Sequence, residues 1–245
     1  MNEWSAIMAA GALAGAGGVA LGARAMFSPR SSLLIPTISR GTDQPFRSVA
    51  LTFDDGPHPD TTPRILDILR AESVIATFFV IGVHALHHPD LVGRMHEEDH
   101  LIGNHSHHHH YSGTFGRVVY WQRELESADR AIEAVIHRRS LLFRPPMGFR
   151  SVPMARALRR SGHSVITWTR SARDGVTTSA ERILERLADR AAPADILLLH
   201  DGAAPRSGGN REATVAALPR LIARLRDRGL SIAPLDRLIQ RPAYR

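Results

Sequence analysis

Asp54 and Asp55 are adjacent carboxylates at the end of an apolar run, Val49 to Phe53, and Gly56-Pro57 breaks the chain directly after them. The pattern reads as a buried strand delivering both aspartates to the open end of a sheet or barrel, where the backbone turns sharply. Side chains alternate faces along a strand, so the two neighbours are expected to serve different tasks. Two carboxylates crowded at an apolar strand end repel unless a cation or an arginine compensates one of them. Alone, the pair would also suit an acidic turn on a surface.

The next reactive stretch is Gly103-Asn104-His105-Ser106-His107-His108-His109-His110. His105 and His109 stand at i and i+4, so one helical turn would present both imidazoles on one side. Two histidines and one carboxylate make a three-ligand metal site that leaves positions open for water and substrate. A histidine tract of this density also suits an adventitious metal-binding surface. Its place downstream of the aspartate pair and after an apolar run favours the first reading. His107, His108 and His110 are expected to face elsewhere.

Three further groups follow. Arg144 opens Arg144-Pro145-Pro146-Met147-Gly148, where the prolines fix an extended path and the glycine permits close backbone approach to a ligand. An arginine at a strand end can grip a carboxylate bidentately. Asp174 precedes Gly175, which by itself is only a turn signal. Ile196 to Leu199 is fully apolar and delivers His200, Asp201 and Gly202, repeating the logic of the opening stretch.

The elements that must position these groups alternate. Strand candidates are Val49–Phe53, Ala76–Ile81, Leu101–Gly103, Leu141–Phe143, Ser164–Trp168, Ile196–Leu199 and Leu230–Ala233. Helix candidates lie near Thr62–Ala71, Asp90–Glu98, Arg117–His137, Val152–Ser161, Ser179–Arg190 and Glu212–Arg228. Such alternation implies parallel strands with crossover helices, an α/β fold. Seven units point to a barrel more than to an open sheet, an alternative that spacing alone leaves open, and in such a barrel reactive groups gather at the carboxyl ends of the strands. The candidate residues do sit just after strand candidates.

The chain of 245 residues has room for one barrel-sized domain, and 43% apolar with 22% charged residues is ordinary for a globular protein. It contains no cysteine, which excludes disulfides and thiolate metal sites. All 31 basic residues are arginine and the net charge is +7. The arginines are scattered through helical stretches without aromatic interleaving, which argues for a solvated basic surface and against a nucleic-acid reader. Residues 6–23 carry no charge and are just long enough to span about 30 Å of hydrocarbon as a helix. Glu3 precedes them and Arg24 and Arg30 follow, a layout opposite to that of an export signal or anchor. The expectation is an N-terminal hydrophobic segment (1–27) making membrane contact, hence anchorage or export to the cell envelope, with a cytoplasmic chain as the alternative. Residues 28–45, with three prolines, read as a linker.

Taken in order, Thr52-Phe53-Asp54-Asp55-Gly56, His105-Ser106-x-x-His109, Arg144-Pro145-Pro146-x-Gly148, Asp174 and Leu198-Leu199-His200 resemble the five motifs of the polysaccharide deacetylases (carbohydrate esterase family 4), with a likeness to the nodulation-type chitooligosaccharide deacetylases. The resemblance covers roughly residues 46 to 240 and implies a distorted (β/α)7 barrel. It implies Asp55, His105 and His109 as metal ligands, for zinc or alternatively cobalt or nickel. Asp54 would be the general base toward the attacking water, and Arg144 would orient it. His200 would be the general acid, positioned by Asp174. The Met147 N–H would complete an oxyanion site and Leu198 would line the pocket for the acetyl methyl group. The implied reaction is removal of N-acetyl groups from N-acetylglucosamine-containing glycans. Alternatives are a deacylase of a small N-acyl amino-sugar conjugate, an O-acetyl esterase, or a glycan-binding module without turnover. Gly175 stands where the family carries Trp, so one aromatic wall of the sugar groove is missing unless Trp168 or Phe149 replaces it. Met147 stands where the family carries Tyr, a change that spares a backbone donor. The oligomeric state has no signature in the sequence.

Overall fold

The computed structural model describes residues 22, 24–42, 47–205 and 211–245. Except for Gly22, the expected membrane-contacting stretch 6–23 lies outside the described residues. No helix among the described residues is long and apolar enough to cross a membrane.

Strand β2 (Ser48–Asp54) is the axis of the molecule. All seven of its residues are buried, which is why its apolar run is continuous where a half-exposed strand would alternate. β3 (Thr77–Val80) pairs with one edge of β2, and β8 (Ile196–His200) with the other. β4 (Leu101–Asn104), β5 (Leu142–Phe143), β6 (Ser164–Ile166) and β1 (Thr37–Ile38) extend the sheet beyond β3. β7 (Arg170–Ser171) lies outside β8, and β9 (Ser231–Ile232) pairs with the start of β2. Every named strand pair is parallel.

All seven expected strands are present, with β1 and β7 in addition. β1 falls within the stretch expected to be a linker. Its two residues add to the edge of β6, a pairing that two residues of sequence cannot announce. The curled sheet is drawn together across its seam by the chain itself: the Thr167 N–H donates to Ile38 O at 2.9 Å and the Thr169 N–H to Ile196 O at 3.0 Å. Trp168 stands between them, at the crossing.

The helices from residue 47 onward, among the described residues, are α1 (Thr62–Ala71), α2 (Gly82–His87), α3 (Pro89–Glu97), α4 (Val118–Ile136), α5 (Val152–Ser161), α6 (Ala180–Leu187), α7 (Glu212–Asp227) and α8 (Leu235–Ile239). α2 and α8 are short and escaped the periodicity reading. The main core lies between helices and sheet, where Phe53 and Phe78 stack at 5.1 Å among Ile65, Leu66, Leu199 and Leu221. Each such side chain contributes about 1.5–3 kcal/mol by leaving water. The strands are thereby locked, and their carboxyl ends form one mouth.

Candidate metal and acid–base site

Both aspartates turn into that mouth. β2 ends at Asp54, and Asp55 takes a left-handed φ of 72°. This undoes the alternation expected of a strand and brings its carboxylate back beside that of Asp54. His105 Nε2 accordingly lies 3.7 Å from Asp54 Oδ2 and 3.4 Å from Asp55 Oδ1. His84 Nδ1 holds the Asp55 carbonyl at 2.9 Å. Gly56 is required next, because a β-carbon there would fall 1.9 Å from Asp201 Oδ2.

The histidines do not sit on a helical turn, contrary to expectation. Residues 105–110 form a loop in which Ser106 and His109 have φ of 66° and 52°, incompatible with a right-handed helix. The loop is held by side chains. Asn104 Oδ1 accepts from the Ser106 N–H at 2.8 Å and Ser106 Oγ from the His109 N–H at 3.2 Å. Glu124 Oε2, on α4, accepts from the His107 and His108 N–H groups at 3.0 and 2.9 Å.

This loop brings His109 Nε2 to 3.4 Å from Asp55 Oδ1. Asp55, His105 and His109 offer ligand atoms that all lie within 4.8 Å of one another, and all three residues are buried. The arrangement fits a cation. His105 Nδ1 lies 2.8 Å from the Arg144 carbonyl, which demands N–H there and leaves the Nε2 lone pair facing Asp55. Asp55 Oδ1 is buried without a hydrogen-bond partner. A buried acceptor facing another lone pair is costly unless a positive charge lies between them. Burial pushes the Asp55 carboxyl up, but His105, His109 and His200 outweigh burial and hold it below the usual carboxylate range.

On one flank stands Asp54. Arg144, fully buried on the loop after β5, donates from one Nη to Asp54 Oδ1 at 2.7 Å and to Thr52 Oγ1 at 2.8 Å. Its other Nη donates to Thr167 O at 3.0 Å, and the guanidinium lies 4.1 Å from the Phe79 ring centre. An ion pair this dry is rigid, so the Asp54 side chain is held in one place. On the other flank, His200 Nε2 is 4.0 Å from Asp55 Oδ2. His200 Nδ1 lies 2.7 Å from Asp174 Oδ1. Burial pulls the His200 imidazole down, but the charge and hydrogen bond of Asp174, with Asp55 and Asp54 behind it, raise it to about 9.

The structure therefore brings Asp54, Asp55, His105, His109, Arg144, Asp174 and His200 together. Leu198 is buried on β8 in register with Thr52. Met147 is 49% exposed on its loop with φ of 55°. Of the two aromatic substitutes, Phe149 is buried against Phe27 at 5.0 Å and does not wall the mouth. Trp168 packs on the loop of Met147, where a β-carbon on Gly148 would meet its ring at 2.6 Å. Sequence reasoning missed several supports. Thr214 Oγ1 donates to Asp174 Oδ2 at 2.6 Å, and the buried Arg211 donates to Asp174 O at 2.9 Å. Asp201 takes the Thr62 hydroxyl at 2.6 Å, and burial pushes its carboxyl up to about 7. Asp201 had a signal, since it follows His200 directly. Glu124 and Thr214 had none.

The polysaccharide deacetylase family model matches residues 41–166. The chain is 38% identical over 201 residues to a chitooligosaccharide deacetylase of Sinorhizobium fredii, covering 80% of this chain and 92% of the relative. It is 32% identical to a peptidoglycan-N-acetylglucosamine deacetylase of Bacillus cereus, over 78% of this chain and 88% of the relative. A crystal structure of a peptidoglycan N-acetylglucosamine deacetylase, bound to an N-hydroxybenzamide, superposes with a TM-score of 0.79 at 26% identity, covering 85% of this chain and 95% of that one.

Proposed function

The chain belongs to the polysaccharide deacetylase family, and on that premise we propose that it is a metal-dependent hydrolase that removes N-acetyl groups from N-acetylglucosamine units of a glycan, releasing acetate and a free amine. The observation that carries this reading is the convergence of Asp55, His105 and His109 between a buried arginine-bound aspartate and an aspartate-bound histidine.

Asp55, His105 and His109 would hold the cation, which when bound polarises the acetyl carbonyl and makes the attacking water more acidic. Two imidazoles and a carboxylate suit zinc, with cobalt or nickel as alternatives. Asp54, fixed by Arg144, accepts the proton of the attacking water. The Met147 N–H would donate to the oxyanion of the tetrahedral intermediate. His200 delivers a proton to the departing nitrogen, since an amine leaves poorly unless protonated. Asp174 keeps the His200 Nδ1 proton in place and favours the charged ring. Leu198 offers an apolar contact for the acetyl methyl. The uncharged stretch 6–23 supports a place at the cell envelope, which fractionation of the full chain tests.

The decisive experiment is acetate release from chitooligosaccharides and peptidoglycan fragments by the purified protein. Activity should vanish with a chelator and return with added zinc. Activity that survives exhaustive chelation would overturn the reading.

A further inference from the structure

A cleft of about 680 Å³ runs between the edge strand β7 and the facing side of α6. Five arginines line it, Arg170, Arg173, Arg182, Arg186 and Arg190, with Glu185 as the one acidic lining residue. Two of the five are matched by carboxylates: Arg170 reaches Asp195 at 2.6 Å and Arg190 reaches Glu185 at 3.0 Å. Arg186 donates only to neutral acceptors, Ala172 O at 2.7 Å and Thr178 Oγ1 at 3.3 Å. Arg173 and Arg182 have no carboxylate partner among the described residues. Three guanidinium charges therefore share one cleft without an anion. Arg182 and Arg186 are also one helical turn apart, a like-charge spacing that costs stability.

The cleft and the site share the Trp168 side chain. Trp168 forms one wall of the cleft, and the same indole packs on Gly148 in the loop of Met147 and lies 5.8 Å from the Arg144 guanidinium. At its other end Arg173 directly precedes Asp174, the partner of His200. A recess with a low-dielectric aromatic wall and an excess of one sign of charge concentrates the field on whatever lies in it. Guanidinium forks match carboxylate and phosphate oxygens. A neutral chitooligosaccharide has nothing to place there.

We infer that this cleft is an anion subsite for the glycan: the substrate carries a carboxylate or phosphate on a sugar neighbouring the one that is deacetylated. The inference rests on the deacetylase reading above and names its substrate class. A carboxylate would come from a lactyl-bearing sugar and a phosphate from a sugar phosphate ester. The chemistry that binds them is shared.

The test compares three acetylated oligosaccharides of equal length with the intact, zinc-loaded protein: a neutral N-acetylglucosamine oligomer, one alternating with N-acetylmuramic acid, and one bearing a 6-phosphate. One anionic oligomer should show a KM about tenfold lower than the neutral one, as expected for a charge-assisted contact, and which one does so identifies the source. In Arg173→Gln/Arg182→Gln that preference should collapse about tenfold. It should persist in Arg237→Gln, a charge-matched change on the distant α8. Equal KM values for all three oligomers, or a preference untouched by the double substitution, would overturn the subsite. Should no oligomer release acetate, the deacetylase reading fails separately. Calorimetric titration with the same oligomers then decides the cleft: a Kd about tenfold weaker in the double variant supports it, and an unchanged Kd removes it.

Discussion

His200 and Asp174 are joined twice: the ring Nδ1 lies 2.7 Å from Asp174 Oδ1, and the His200 backbone N–H donates to Asp174 Oδ2 at 2.9 Å. The double contact fixes both the tautomer and the rotamer of the ring, so Nε2 faces the mouth. Burial opposes the imidazolium, but Asp174 and the two site aspartates raise His200 to about 9. A raised pKa means that the acid form is present below this value and is lost as pH climbs through it. The alkaline limb of the kcat profile should therefore lie at higher pH with the Asp174 carboxylate in place than without it. In Asp174→Asn the largest favourable charge is gone, and the limb should move to lower pH with a drop in kcat. A limb that stays in place would detach His200 from the role of acid.

Asp54 is not one of the three convergent ligands, although it lies 3.7 Å from His105. Asp54→Asn should therefore lower kcat by about 10²–10⁴, the usual contribution of a positioned base. Zinc stoichiometry, measured by metal analysis after dialysis, should remain at one. Full activity in this variant would remove the base from the mechanism.

Arg144 has no exposed surface, and its pairing with Asp54 is equally dry. Arg144→Met leaves the Asp54 charge buried and unpaired, which costs about 3–5 kcal/mol. A urea titration should show an unfolding free energy lower by that amount, seen as a lower midpoint at unchanged slope. Arg144→Lys should restore little, because a single ammonium cannot serve Asp54, Thr52 and Thr167 from one place. Recovery of the midpoint by lysine would mean that charge alone matters here.

Much of this was legible because apolar runs ending in ionisable residues have one meaning in a parallel α/β fold. Val49–Phe53 and Ile196–Leu199 proved to be neighbouring strands, and their terminal residues Asp54 and His200 are register partners. The backbone of the site was not legible. Left-handed φ at Asp55, Ser106, His109 and Met147 occurs at residues with no glycine to mark it. Hence the alternation argument missed the turn of Asp55, and the i, i+4 argument supplied a helix where there is a loop. Supports from distant helices were equally silent. Thr214 and Glu124 read as ordinary helix positions until the fold sets them against Asp174 and the histidine loop.

Glu124 offers the sharpest test of such a support. It is 4% exposed, and its carboxylate collects the His107 and His108 N–H groups on one oxygen and His108 Nδ1, at 2.7 Å, on the other. Removing these acceptors leaves backbone donors beside His109 unpaired, at about 1–3 kcal/mol each. The loop would then hold His109 less firmly against Asp55, and loss of a residue that orients a ligand costs about 10–100-fold in metal affinity. Glu124→Ala should therefore weaken zinc binding by that factor in a competition titration, beyond any fall in Tm. Glu124→Gln keeps one carbonyl oxygen for the two N–H groups, and its amide can donate to His108 Nδ1 in the other tautomer. It should bind zinc close to wild type. Equal Tm losses in both variants with unchanged zinc affinity would make Glu124 a prop for the fold and nothing more.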